Sequence, residues 1–158
     1  MKNFFSDMVA SVGGIDFTNN GRYIISREYM NVKVWDIANT KTPLQNICIQ
    51  ESLKSKLVNL FENDCIFDKF SITGSYDNST IITGNYNNNF HLLNMSTGLN
   101  TQYELNFKRN TISRQMIAGK CPPITKLDTH RKTSVVAYHP LKHEIAVASL
   151  NCFFVYSV

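Results

Sequence analysis

His139 and His143 stand four apart in HPLKH, a spacing that on a helix would aim two imidazoles at one metal ion. Pro140 and the apolar strands on either side place them in a turn instead, and third and fourth ligands have no evident source. Cys65 lies among Glu62, Asp64 and Asp68. Neighbouring carboxylates raise a thiol's pKa, so this cysteine reads as a small half-buried hydrophobe and not as a nucleophile. The text contains no glycine-rich phosphate loop, no GxSxG and no HExxH. Cys48, Cys65, Cys121 and Cys152 include no CxxC pair, which argues against a zinc knuckle or a disulfide framework and for reduced, cytosolic thiols. We expect no catalysis, no bound metal and no cofactor.

Binding chemistry is better represented. The stretch FENDCIFDKF, residues 61–70, sets aromatics among acids and a lysine so closely that no one face of a helix or strand could be wholly apolar. Ile66 and Phe70 suit the core by alternation, and Asp64 and Asp68 taken alone read as turn acids bonded to nearby backbone. Phe61 and Phe67 fit a core and an interface equally well.

The elements that carry this stretch are mostly strands. From Gly14 the chain reads as a three-stranded meander: Ile15 and Phe17, a turn at Asn19-Asn20-Gly21, Tyr23 to Ile25, then Val32 and Val34 before Trp35-Asp36. A second meander turns at Asp77-Asn78-Ser79, runs through Ile81-Ile82-Thr83 and ends in Phe90 to Asn94. A third is broken at His139-Pro140, continues in Ile145 to Ala148 and closes in Phe153 to Tyr156. A small residue, Ser26, Gly84 or Ser149, follows each middle strand. Three copies make an internal repeat of roughly 60 residues, against about 40–45 for a plain WD40 blade. The meanders occupy about 14–37, 70–96 and 133–157, with insertions at about 38–69 and 97–132. In the first insertion Leu53, Leu57, Leu60 and Phe61 recur at helical spacing, predicting a short helix from Ser52, its cap, to Phe61. The second reads as a strand and then an irregular loop.

This order predicts an all-β fold of the WD40-type β-propeller class, with about three blades and a short helical insertion. The 158 residues, 43% hydrophobic and 11% aromatic, suffice for a sizeable core. A formal charge of +4 without a basic run singles out no nucleic acid, and no apolar run reaches membrane-spanning length. We expect a soluble protein of the cytoplasm, with the nucleus as a second compartment.

The runs FFSDMVASV, GRYIISREYMNVKVWDI, LKSKLVNLFENDCIFDKF, TGNYNNNFHLLN and AYHPLKHEIAVAS closely resemble the B55 (PR55) family of regulatory B subunits of serine/threonine protein phosphatase 2A. The resemblance covers nearly the whole chain in order. It implies a non-catalytic member of a three-part enzyme, in which a seven-bladed propeller docks phosphoprotein substrates and is joined by a scaffold to a separate catalytic chain. Three blades then correspond to the C-terminal part of the ring, while the family's main scaffold contacts lie in earlier blades. An incomplete ring would leave the faces of its end blades unpaired.

The resemblance also places residues 61–70 in a substrate-docking groove. It implies groove roles for Phe4, Phe5, Phe61, Asp64, Phe67 and Lys69, with Asp7, Ser11 and Val58 as secondary candidates. Phe61 stands where the family usually has tyrosine, and Val58 where cysteine is common. The phenylalanines would anchor apolar side chains, Asp64 would meet a basic residue, and Lys69 an acidic residue or phosphate. Arg22, Arg27, Glu28 and Asp36 are expected to maintain the blade. A reading of another class is a WD40 interaction protein without a phosphatase partner; an autonomous hydrolase would need a constellation the text lacks.

Overall fold

Alternating apolar residues closed by Asn, Asp and Gly turns give this chain twelve strands in three antiparallel sheets, as seen in a computed structural model that describes residues 4–107, 111–116 and 127–157. The first sheet runs in chain order through β1 (Val12–Phe17), β2 (Tyr23–Glu28), β3 (Asn31–Asp36) and β4 (Gln45–Cys48). The second contains β5 (Ile72–Gly74), β6 (Thr80–Gly84), β7 (Asn89–Asn94), β8 (Asn100–Asn106) and β9 (Thr111–Met116). The third contains β10 (Thr133–Tyr138), β11 (Glu144–Ser149) and β12 (Cys152–Ser157).

The three sheets share one register. In each, the residue after the first strand donates its N–H to the carbonyl that opens the second: Thr18 to Tyr23, Ser75 to Thr80 and His139 to Glu144. Counting from that bond makes Ile24, Ile81 and Ile145 equivalent, and likewise Trp35, Leu93 and Tyr156, which pair with them across the strand. The small residues singled out in the sequence do not share a position. Ser26 matches Thr83 and Val147, whereas Gly84 lies one place later and Ser149 two, so each answers a different local need. At Gly84 the need is a close approach: an added Cβ would stand 1.8 Å from the Thr133 carbonyl oxygen of the next sheet. At Gly21 it is the turn, since φ is +68°.

Packing follows from this register. Ile25, Val32 and Val34 of the first sheet meet Ile72, Ile81 and Leu93 of the second. On its other side the second sheet presents Ile82, Phe90 and Leu92 to Val136, Ile145 and Val147 of the third. The first strands β1, β5 and β10 neighbour one another, as the inner strands of consecutive blades do.

Two readings of the insertions are corrected. β4, β8 and β9 lie within the segments read as insertions, and each extends its sheet as an outer strand. QNIC carries too many polar residues to announce itself by apolar alternation, whereas β8 is the strand read at the start of the second insertion. The helix in the first insertion begins as a tight 3-10 segment, Glu51–Lys56, and continues as α2 (Leu57–Glu62). Ser52 does not cap it: Gln50 holds the cap position without a side-chain cap bond, and the Ser52 hydroxyl is buried without a partner. The irregular loop expected late in the second insertion falls largely on residues 117–126, outside the described residues.

A buried polar chain ties the first two sheets together. Arg27 donates to Gln50 Oε1 at 3.4 Å, Gln50 donates to Asn85, and Asn85 Nδ2 donates to His91 Nε2 at 2.7 Å. His91 Nδ1 then donates to Asn100 Oδ1 at 2.8 Å, which fixes the neutral tautomer. Burial lowers the His91 pKa to about 4 from an ordinary 6.5, with the hydrogen bond to Asn100 opposing and the Arg27 charge assisting. The unfolded chain binds this proton at a higher pH than the folded one. Stability from His91 is therefore full above about pH 6.5 and falls as pH drops toward 4, by about 3 kcal/mol in all. Urea unfolding at stepped pH should show that slope, and a folded His91→Gln variant should lack it. Gly84→Ala should cost roughly 2–4 kcal/mol by forcing β6 from β10, a loss readable as a lower urea midpoint.

Candidate functional site

Four phenylalanines from two distant stretches of the sequence meet on one face. Phe4 and Phe5 precede α1 (Ser6–Val9), Phe61 lies in the last turn of α2, and Phe67 ends a 3-10 turn, Cys65–Phe67. Their rings meet edge to face at centroid separations of 5.1 Å for Phe4 and Phe5, 5.7 Å for Phe4 and Phe61, and 5.9 Å for Phe5 and Phe61. Phe67 joins at 6.3 Å from Phe61 in a tilted arrangement. Yet these rings are not core: Phe4 is 67% exposed, Phe67 57% and Phe61 37%. Edge-to-face contacts of this kind contribute roughly 0.5–1.5 kcal/mol each beyond burial, enough to hold the rings as a platform in water.

The platform stands on a core of its own. Tyr29, Met30, Leu53, Leu60, Ile66, Phe70 and Tyr86 are buried beneath it, and Phe5, Met8 and Val9 pack against them. The Val9 carbonyl accepts the Tyr29 N–H at 3.2 Å, which fastens α1 to the turn between β2 and β3. Ile66 and Phe70, each 2% exposed, are core as alternation predicts.

The charged candidates occupy the rim. Asp64 takes the left-handed conformation, with φ of +58°, at the corner between α2 and the 3-10 turn. Its N–H donates to the Phe61 carbonyl at 3.1 Å, and its carbonyl accepts the Phe67 N–H at 3.3 Å, so its exposed carboxylate lies between the two rings in sequence. Lys69 is exposed beside a cavity of about 390 Å³ that Asp7, Ser11, Phe67, Asp68 and the buried Arg27 also line. The structure thus brings together Phe4, Phe5, Phe61 and Phe67 in one contact set, and Asp7, Ser11, Phe67 and Lys69 around one cavity. Val58, 61% exposed on α2, lines neither.

Asp68 is a correction to the sequence reading. Instead of capping a local turn it accepts the Tyr86 hydroxyl at 2.8 Å and pairs with Lys132. Tyr86 and Tyr29 share a hydrogen bond at 2.9 Å, and the Tyr86 hydroxyl also lies 2.9 Å from the Cys65 carbonyl. Burial pushes both phenols well above the ordinary tyrosine range. No linear signal joins these partners, since Tyr29 and Tyr86 are 57 residues apart. Arg27 maintains the blade as expected: it donates to the Glu28 carbonyl and lies 5.4 Å from the Phe70 ring centroid. Burial lowers its pKa to about 9, which leaves it charged at neutral pH.

The histidine pair does structural work, with His143 Nε2 2.9 Å from the Tyr76 hydroxyl and His139 Nδ1 accepting the Leu141 N–H at 3.0 Å. Among the described residues no three His, Cys, Asp or Glu side chains gather into a metal site. No helix among them is long and apolar enough to cross a membrane.

These sheets and their register define a set of β-propeller blades, and comparison with solved structures agrees. The chain is similar to the β-propeller domain of Cps50 (Swd1) from Myceliophteria thermophila, with a TM-score of 0.53 and 12% identity over 93% of this chain and 38% of that one. At that identity the likeness shows the fold. The sequence goes further: it is 32% identical to the PP2A regulatory B subunit of Schizosaccharomyces pombe over 185 aligned positions, covering 99% of this chain. The B55-type regulatory B subunits are therefore the family this chain resembles over its whole length, and it spans 40% of the length of that curated relative. No family model matches.

Tyr86→Phe should leave the platform's fold in place but cost about 1–3 kcal/mol, because Asp68 and the Cys65 carbonyl lose a buried donor. Hydrogen exchange should quicken at residues 65–68 in that variant; unchanged exchange there would show that the phenol does not hold the segment.

Proposed function

We propose that the chain acts as a substrate-docking part of a B55-type regulatory subunit of protein phosphatase 2A. In this reading it catalyses nothing itself. It holds phosphoproteins near the phosphatase's catalytic chain, which the scaffold carries, and acts by raising the local substrate concentration. The observation that carries the proposal is the exposed phenylalanine platform flanked by Asp64 and Lys69. Whole-chain similarity to a regulatory B subunit supports the same assignment.

The physical logic is that of peptide recognition. Rigid aromatic rings already held by one another lose little entropy when an apolar side chain settles among them, so most of the buried area is realised as affinity. Asp64 and Lys69 then set direction, because a peptide bearing basic and acidic groups in the wrong order would place like charges together. Their exposure limits what each adds to affinity but not what each adds to selectivity.

Asp64→Lys should weaken docking of a basic phosphatase 2A substrate peptide by about 1–3 kcal/mol with the fold intact, and Phe67→Ala by a similar amount. Fluorescence anisotropy with a labelled peptide reads both. Unchanged affinity in folded variants would remove these residues from the site, and a wild-type chain that binds such peptides without associating with the phosphatase's scaffold and catalytic chains would favour an interaction protein of the WD40 class.

A further inference from the structure

The turn between β3 and β4 is longer and more loosely held than its counterpart in the second sheet. Between β7 and β8 the turn spans five residues, 95–99, and side chains close it. Asn94 Oδ1 accepts the N–H groups of Ser96 and Thr97 at 2.9 Å each and the Thr97 hydroxyl at 3.1 Å, and that hydroxyl accepts the Leu99 N–H at 3.2 Å. The turn of the first sheet spans eight residues, 37–44. Asp36 opens it by accepting the Ala38 N–H at 2.9 Å, and the Leu44 N–H closes it on the Val34 carbonyl at 2.8 Å. Between these bonds, residues 40–43 make one hydrogen bond to the described residues, from the Lys41 N–H to Asn39 Oδ1 at 3.4 Å. Thr42 is exposed, and neither its N–H nor its hydroxyl has a hydrogen-bond partner among them.

These features suit the cleft of a protein kinase, which takes its substrate as an extended segment. The 40–43 segment reaches that shape by giving up one bond, whereas Thr97 would have to surrender the bonds that close its turn. Pro43 follows the free hydroxyl directly, and Thr42-Pro43 is the one Ser/Thr-Pro pair in the sequence. Proline lacks an N–H, so it fits a cleft that offers that position no acceptor, where another residue would bury an unpaired donor. Residues 37–44 contain no acid, Lys41 stands beside Thr42, and Asp36 at the mouth of the turn is paired with Arg22. An added phosphate of charge about −1.5 to −2 therefore meets no repulsion within the turn.

We propose that Thr42 is a phosphorylation site for a proline-directed kinase. The Thr42 oxygen attacks the γ-phosphorus of the kinase's nucleoside triphosphate, and the bond from that phosphorus to its bridging oxygen breaks. Nucleoside diphosphate leaves, and a carboxylate base of the kinase takes the hydroxyl proton. The β3–β4 turn lies at the opposite end of the first sheet from the β2–β3 turn, to which α1 is fastened. The phosphate thus marks a surface separate from the phenylalanine platform, and the assignment does not depend on what docks there.

Phosphopeptide mapping of the full-length protein from its native cells, taken under phosphatase inhibition, tests this beside a Pro43→Ala variant. Phosphate is expected on Thr42 of the native protein and not on Thr97, which is exposed but engaged in its turn. Pro43→Ala keeps the hydroxyl and should lose the phosphate, while Thr42→Ser should keep it. If Pro43→Ala fails to fold, the native protein decides alone: inhibiting proline-directed kinases in the cells should remove the phosphate from Thr42. An unmodified Thr42 overturns the proposal, and so does phosphate that persists unchanged in folded Pro43→Ala or under that inhibition.

Discussion

The Tyr86 hydroxyl is where the parts of this molecule are joined. It meets Tyr29 from the first sheet, the Cys65 carbonyl and Asp68 carboxylate from the segment under the platform, and through Asp68 it reaches Lys132 at the edge of the third sheet. The backbones of Tyr86 and Lys132 also form an isolated bridge. A phenol has one proton and two lone pairs: the Tyr29 hydroxyl can donate to one lone pair, and the Tyr86 proton is shared between the Cys65 carbonyl and the Asp68 carboxylate, which only accept. Burial makes that satisfaction obligatory, since an unpaired polar group in this position would cost more than the bonds themselves contribute net. The position of residues 65–68 relative to the sheets is therefore fixed by chemistry and not by packing alone.

From that junction the platform follows. Ile66 and Phe70 are driven inward by the same core that contains Tyr86, and the residues between and beside them are forced outward. Phe67 emerges as an exposed ring, Lys69 as an exposed cation, and Asp64 at a corner whose left-handed backbone turns its carboxylate toward solvent. Mixed composition in FENDCIFDKF is thus the mark of a chain that dips into the core and out again within ten residues. The second buried network, from Arg27 through Gln50 and Asn85 to His91, holds the first and second sheets in one register beneath it.

Much of this was legible in the sequence, and the reason is periodicity. Ile24, Ile81 and Ile145 announce their strands because alternation and turn residues act locally. That Phe4 and Phe5 come beside Phe61 was legible through family resemblance when no spacing rule could show it. What stayed hidden has a physical cause in each case. β4 is an outer strand with polar text, so apolar alternation was faint. Ser52 has the right type for a cap, yet the segment tightens into a 3-10 turn before it, and its hydroxyl is buried. Asp68 looked like Asp64 because both are acids in a turn-rich stretch; only the arrival of Tyr86 and Lys132 from distant strands separates a structural anchor from a rim charge.

We propose that substrates dock on the four-ring platform. A photoreactive phenylalanine analogue placed at Phe67 in the native cells, with Leu141, which is more exposed still, as a control away from the platform, tests it directly. The account predicts cross-links from position 67 to phosphoproteins whose phosphorylation rises when phosphatase 2A is inhibited, and none of these from position 141. Equal labelling at both positions, or cross-links from 67 only to proteins that the phosphatase does not act on, would contradict it.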